Sequence, residues 1–177
     1  MTFNNKKSLE TDIIFIGIDQ SMTHTGLTII INNEVFLSEG FSTTTDLSFE
    51  ERLISIENFI MTRISQFNPN ETSIGIEGLA FNRNKTNNSA MLFGLFSVLL
   101  INLCKNGYKY SVIPPKTLKK FATGNGNSTK EDLINNIKKE DLNKLKELSR
   151  IKNEFGKKFE DISDSYWLAK LKEEESK

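Results

Sequence analysis

The feature that most constrains this sequence is an apolar run that ends in an acid. Residues 13–18 are five large apolar residues and one glycine, and Asp19 follows directly. An unbroken apolar run bounded by polar residues predicts a strand buried on both faces, near the centre of a sheet. A carboxylate there is costly to desolvate unless something pairs with it. A metal ion would be such a partner, although an aspartate here would equally cap the turn that follows.

The first half of the chain predicts an antiparallel meander followed by a crossover. Strands are expected over 27–31 and 34–38, joined at Asn32-Asn33 by a hairpin turn. A capping box at Ser48 and apolar residues at helical spacing predict a helix over 49–66.

A second acid follows that helix at the end of another short strand, predicted over 72–77. A strand, a crossover helix and a strand form a right-handed parallel unit. The unit places Glu77 beside Asp19 at the carboxyl ends of the strands, where ligands of open α/β sheets bind.

The second half predicts mainly helices. The helix over 89–105 is apolar nearly all round, so we expect core on one side and a partner subunit on the other. The further predictions are a strand over 108–113, a short helix over 117–121, a helix from a Ser128–Glu131 capping box to about 139, a charge-dense helical segment over 141–158 and a last helix starting near 161.

A third group of acids is Asp161 and Asp164, placed at the start of that last helix. Residues three apart share one helix face, so the two carboxylates project together. They also suit the positive end of a helix dipole, which is the alternative explanation. With Asp19 and Glu77 they form a set of oxygen ligands that Mg²⁺ or Mn²⁺ prefers. Two such ions can hydrolyse a phosphodiester, so the set indicates metal-dependent phosphoryl chemistry.

The stretch before these acids is basic. Six lysines and no acid occur between residues 105 and 130. The segment includes Lys119, Lys120 and Lys130, and a glycine loop with Gly124 and Gly126 leads into a helix. This pattern favours contact with a nucleic-acid backbone over a merely solvated face.

The totals fit one soluble domain. The chain has 177 residues with no net charge, but 17 Lys/Arg against 12 Asp/Glu follow from Cys104 onward. We expect a flexible tail over 1–11, a single domain over 12–172 and a frayed end over 173–177. The single Cys104 is interpreted as a core residue in a reducing, cytoplasmic compartment. Neither a signal peptide nor a membrane span is predicted.

These residues resemble the RuvC-type Holliday-junction resolvases of the RNase H-like superfamily. The resemblance rests on Gly17-Ile18-Asp19 with Thr25-Gly26, on Ile76-Glu77, on the basic segment, and on Asp161-Ile162-Ser163-Asp164. A small, Asn/Lys-rich chain of this kind is similar to the phage-encoded members, which would place it in the host cytoplasm.

The resemblance implies an RNase H-like α/β fold with a five-stranded mixed sheet, three strands antiparallel and two parallel, flanked by helices. It implies a homodimer that nicks a four-way DNA junction symmetrically, with no small-molecule substrate. Two Mg²⁺ ions per site, replaceable by Mn²⁺, would be held by the four acids, which are the expected catalytic residues. Family members use an aromatic after the second acid as a wedge; here Ala80 stands three residues after Glu77, followed by Phe81. The expected DNA contacts are Lys119, Lys120, Lys130, Gly124, Gly126, Phe81, Arg83 and Lys85.

Two alternatives remain open. One is an RNase H-like nuclease that acts on flaps or RNA–DNA hybrids. The other is a non-catalytic junction-binding protein, which we would expect to lack at least one of the four acids. His24 is interpreted as a polar turn residue in preference to a general base, because two-metal chemistry needs no histidine.

Overall fold

Five strands form one mixed sheet in the order β3-β2-β1-β4-β5. The computed structural model describes residues 13–79, 86–154 and 156–177, with side chains from residue 89 in the second range. The strands are β1 Ile14–Asp19, β2 His24–Ile31, β3 Glu34–Ser42, β4 Thr72–Glu77 and β5 Lys109–Ile113. Strands β1, β2 and β3 pair antiparallel, and β4 pairs parallel with both β1 and β5. The predicted five-stranded mixed sheet is confirmed.

Six α-helices cover the two faces of the sheet within these ranges. They are α1 Phe49–Ile64, α2 Thr86–Lys105, α3 Pro115–Thr123, α4 Lys130–Asn135, α5 Lys139–Ser149 and α6 Lys157–Glu174. None of these helices has the combination of length and apolarity that a membrane span requires. The expected tail over 1–11 and the loop residues Phe81, Arg83 and Lys85 lie outside the described residues.

Alternation along β1 divides the core into two layers. Ile14, Ile16 and Ile18 pack with residues of α1 and α2 on one face of the sheet. Phe15 points to the other face and packs with Phe159 and other residues of the α4–α6 layer. All six residues of β1 are buried, as expected for a strand at the centre of the sheet.

Helix α6 lies directly on the glycines of the sheet. A Cβ atom on Gly17 would lie 1.8 Å from the carbonyl oxygen of Ser165, and one on Gly26 would lie 2.2 Å from that of Asp161. Backbone therefore packs on backbone at both places, and only glycine leaves room for it. This contact fixes the height and the register of α6 above β1 and β2.

Helix α6 begins earlier than the sequence predicts. It starts at Lys157, after Gly156, whose missing side chain gives no capping signal. Asp161 and Asp164 therefore lie in the second turn and beyond, and the interpretation as acids of the first turn is wrong. The helix also continues to Glu174, and Glu173 is buried in the segment expected to be frayed.

The second capping box is displaced by one residue. Thr129 and Asp132 form it, and α4 ends at Asn135. The predicted Ser128–Glu131 box is wrong because Ser128 is buried and its hydroxyl donates to the carbonyl of Asn125, 2.8 Å away. The box of α1 at Ser48 and Glu51 is confirmed.

Helix α2 presents one buried and one exposed side. Leu95, Leu99 and Leu103 are buried, whereas Phe93 and Ile101 are more than half exposed. Cys104 is exposed, so its interpretation as a core residue is wrong. It follows Leu103, and the helical rotation turns it away from the buried stripe.

The contact of α6 with β1 generates a stability prediction. Gly17→Ala is expected to lower the free energy of unfolding by about 3 kcal/mol, at the upper end of the range for overpacked cores, because the new methyl meets backbone. Urea unfolding followed by circular dichroism measures the change. Gly94→Ala is the matched control: its Cβ meets only the ring of Phe49 at 3.0 Å. A Gly17→Ala protein as stable as this control would contradict the packing argument.

Candidate metal centre

Three carboxylates from distant parts of the chain meet at the carboxyl edge of the sheet. Asp19, Glu77 and Asp164 each offer one oxygen, and these three oxygens lie within 4.8 Å of one another. Asp19 and Asp164 are buried and Glu77 is partly buried. The structure thus brings together three of the four predicted acids.

The strand register explains the first two positions. Ile18 pairs with Ile76 in the parallel ladder of β1 and β4, so the next residues, Asp19 and Glu77, stand side by side. The amide Nε2 of Gln20 donates to the backbone carbonyl of Glu77 at 2.8 Å and ties the two strand ends together.

Helix α6 supplies the third carboxylate. Its backbone contacts Gly17 at Ser165, the residue after Asp164. The hydroxyls of Ser165 and Thr28 lie 2.8 Å apart in a buried hydrogen bond, which fixes the helix to β2 as well. Asp164 is therefore held above the end of β1 by contacts on both sides.

The surroundings of Asp19 oppose its ionisation. Burial, and then the charges of Glu77 and Asp161, raise the pKa of Asp19 well above its usual value. Lys130 acts in the opposite direction. Its ammonium group forms an ion pair with the carboxylate of Asp164 and is partly exposed to solvent. Among the described residues, the acids that act on Asp19 outnumber its cationic neighbour Lys130.

The donor set fits a hard divalent cation. It consists of carboxylate oxygens, which Mg²⁺ and Mn²⁺ prefer, without sulfur or imidazole in the group of three. Oδ1 of Asp164 is buried and, within the described ranges, has no hydrogen-bond partner. Buried polar atoms are normally satisfied, so this oxygen is available to a ligand.

Asp161 lies outside the group of three carboxylates. Its Oδ2 is 2.8 Å from Nδ1 of His24. His24 is buried at the start of β2, so its interpretation as a turn residue is wrong. The two residues are 137 positions apart. No spacing in the sequence indicates this contact, and it is the feature of the site that sequence reasoning missed.

The basic segment contacts the centre through Lys130 and has structural roles of its own. Gly124 ends α3 with a φ of 81°, and a Cβ on Gly126 would lie 3.1 Å from the carbonyl oxygen of Lys116. Lys120 is exposed, and Lys119 and Lys130 are partly exposed. These lysines therefore reach solvent, while Gly124 suits the left-handed end of α3 and Gly126 leaves room for the carbonyl of Lys116.

Comparison with known proteins identifies the family. The model of the crossover junction endodeoxyribonuclease RuvC family matches residues 15–153, a range that contains Asp19 and Glu77 but ends before Asp161. RuvC of Prochlorococcus marinus strain NATL2A is 31% identical over 126 residues, which are 69% of this chain and 79% of the relative. RuvC of Treponema denticola is 32% identical over 140 residues, which are 76% of this chain and 75% of the relative.

Solved structures agree on the fold. Thermus thermophilus RuvC in complex with a Holliday junction substrate superimposes with a TM-score of 0.67 at 18% identity, covering 89% of this chain and 90% of that chain. A second Thermus thermophilus RuvC structure superimposes with a TM-score of 0.63 at 19% identity, covering 89% of this chain and 91% of that chain. The predicted family and the RNase H-like fold are confirmed, whereas a phage origin stays a prediction. The chain belongs to the RuvC family of crossover junction endodeoxyribonucleases.

Proposed function

We propose that this protein resolves four-way DNA junctions by metal-dependent hydrolysis, with Asp19, Glu77 and Asp164 as the central metal ligands. The observation that carries the proposal is the meeting of three carboxylate oxygens within 4.8 Å at the ends of β1 and β4. Such a group is unfavourable without a cation, and a RuvC family member has a use for one.

The proposed cofactor is Mg²⁺, with Mn²⁺ as a substitute. When bound, a pair of such ions supplies an activated water and stabilises charge on the attacking and leaving oxygens of a phosphodiester. Asp161 would add a fourth carboxylate beside the three. Its charge is close enough to Asp19 to raise the pKa of that residue.

The side chains of the chain itself have three tasks in this proposal. Asp19 and Asp164, almost fully buried, keep their carboxylates fixed and exclude bulk water from the centre. Lys130 is partly exposed next to Asp164 and would hold a phosphate oxygen of the scissile strand. Lys119 and Lys120 would bind the flanking backbone, as charged groups open to solvent.

A homodimer is part of the proposal because two strands of a junction must be cut. Its support here is the exposed side of α2, where Phe93 and Ile101 are 55% and 52% exposed. Apolar side chains of this size on one helix suit burial against a second subunit. A cytoplasmic location is proposed with it and agrees with a chain that has one cysteine.

The two alternatives predict different substrates. A nuclease for flaps or RNA–DNA hybrids would cut those in preference to a junction, and a non-catalytic binder would cut none. Incubation of the purified chain with junction, flap and hybrid, with and without Mg²⁺, separates the three. We expect paired nicks in the junction, dependent on the metal; cleavage of the hybrid alone would contradict the proposal.

Asp19→Asn is expected to lower the rate of junction nicking by at least about a hundredfold, since even changes around a metal ligand cost about 10–100-fold. Junction binding should persist, because phosphate contacts dominate affinity. Nicking is measured under single-turnover conditions and binding by gel shift. Asp46→Asn, an exposed acid in a loop, is the control. An Asp19→Asn protein that cuts at the wild-type rate would refute the assignment.

The same substitution should not destabilise the metal-free protein. A buried acid with a raised pKa resists ionisation, so its charge destabilises the folded state once the pH exceeds the pKa of the unfolded chain. In EDTA at pH 7, Asp19→Asn should unfold at the same temperature as the wild type or higher. Mg²⁺ should raise the Tm of the wild type but not that of the variant. At a Mg²⁺ concentration of a hundred times Kd, the expected stabilisation of the wild type is about 2.7 kcal/mol. Equal Mg²⁺ shifts in both would contradict the prediction.

Lys119→Ala with Lys120→Ala should weaken binding to junctions of any sequence. Each lost phosphate contact reduces the slope of log K against log salt by about 1, so we expect a decrease of about 2. Fluorescence anisotropy across a salt series measures it. Lys177→Ala, at an exposed position beyond the end of α6, is the control. An unchanged slope would exclude these lysines from the DNA interface.

A further inference from the structure

His24 makes one polar contact that links the sheet to α6. Its Nδ1 lies 2.8 Å from Oδ2 of Asp161, and the two side chains are only 10% and 18% exposed. An ionised carboxylate can only accept, so the imidazole donates its Nδ1 hydrogen. This nitrogen is therefore occupied by Asp161 and is not free to act as a base.

The sheet is shaped to receive this pair. Asp19, Gly26 and Gly40 lie in one row across β1, β2 and β3. The backbone of Asp161 rests on Gly26, where a Cβ would come within 2.2 Å of its carbonyl oxygen. The imidazole of His24 rests on Gly40, where a Cβ would lie 2.5 Å from Nε2.

The two glycines thus place the helix backbone and the imidazole next to each other, one strand away from Asp19. Either a side chain on Gly26 or one on Gly40 would move a partner of the hydrogen bond. The contact is held by the packing around it and does not depend on a flexible surface side chain.

We propose that His24 is a positioning residue that fixes the carboxylate of Asp161 beside the metal centre. The hydrogen bond holds Oδ2 against His24 on β2, beside the group formed by Asp19, Glu77 and Asp164. The other oxygen, Oδ1, is then presented in one orientation to a divalent cation or its bound water. This inference rests on the proposed function, because it requires metal ions at the three carboxylates.

The physical gain is preorganisation. A free aspartate on an exposed helix turn has several rotamers, and ordering it on binding costs free energy. A carboxylate already held by a buried donor has lost that freedom in folding, so the ion gains the full interaction. Partners of this kind around metal ligands affect affinity or activity by about 10–100-fold.

Three variants test the role. His24→Leu fills the space without a donor, and His24→Asn retains a donor because its Nδ2, like Nδ1 of histidine, is bonded to Cγ. Gly40→Ala leaves His24 intact but displaces its ring. Thermal unfolding in EDTA establishes that each is folded, and Asp46→Asn serves as the control. The readout is Mn²⁺ binding to the DNA-free protein, by calorimetry and by electron paramagnetic resonance.

We expect two Mn²⁺ sites in the wild type. His24→Leu and Gly40→Ala should lower the Mn²⁺ affinity of one of them by about 10–100-fold. At that site, His24→Asn should bind Mn²⁺ with an affinity within a few fold of the wild type. Nicking by His24→Leu should recover when Mg²⁺ is raised, since a lower metal affinity is overcome by concentration. Asp19→Asn should lose binding at both sites.

Three results would overturn the inference, and only the last of them also overturns the proposed function. If the wild type and Asp19→Asn differ as expected but His24→Leu binds Mn²⁺ like the wild type, His24 has no positioning role and the proposed function stands. Equal weakening in His24→Asn and His24→Leu has the same meaning, because the donor is then irrelevant. If the wild type binds no Mn²⁺ at all, the proposed metal centre fails and the inference fails with it.

Discussion

The site depends on the direct contact between the backbone of α6 and the glycines of β1 and β2. At Gly17 and Gly26 no side chain separates the helix from the sheet, so the helix approaches more closely than side-chain packing allows. A layer of ordinary side chains would hold helix and sheet about 10 Å apart. The closer contact brings Asp164 within reach of Asp19, and the hydroxyls of Thr28 and Ser165 fix the helix along its axis. The carboxylate centre is a consequence of that packing.

The arrangement of the carboxylates has a cost in stability, which the proposed function would explain. Burial and neighbouring acids raise the pKa of Asp19, and within the described ranges Oδ1 of Asp164 lacks a partner. A core selected only for stability would replace these groups with apolar ones. The ion pair of Lys130 with Asp164 offsets part of the charge. The remaining acids favour a cation, which is the electrostatic basis of the proposed metal centre.

Much of this arrangement follows from local signals. The buried run before Asp19, the capping box of α1 and the crossover to Glu77 predict that β4 lies beside β1 and that two acids meet there, and the structure has both. Predictions failed where a local pattern competed with packing. Ser128 resembles a cap but is buried under the glycine loop, so Thr129 takes that position. Cys104 lies in an apolar run but faces outward, because the helix has only one buried stripe.

The sequence by itself determined the elements, their order and the acids that end them, because strand burial, capping and crossover handedness act over short distances along the chain. Only the tertiary structure decided which oxygens meet. The sequence places Asp161 and Asp164 on the same helix face and does not distinguish between them. In the structure, Asp164 joins Asp19 and Glu77, whereas Asp161 forms a hydrogen bond with His24, 137 residues away. The different positions of the two acids depend on where α6 rests on Gly17 and Gly26. A contact between segments so far apart in the chain leaves no periodic pattern in the sequence of either segment.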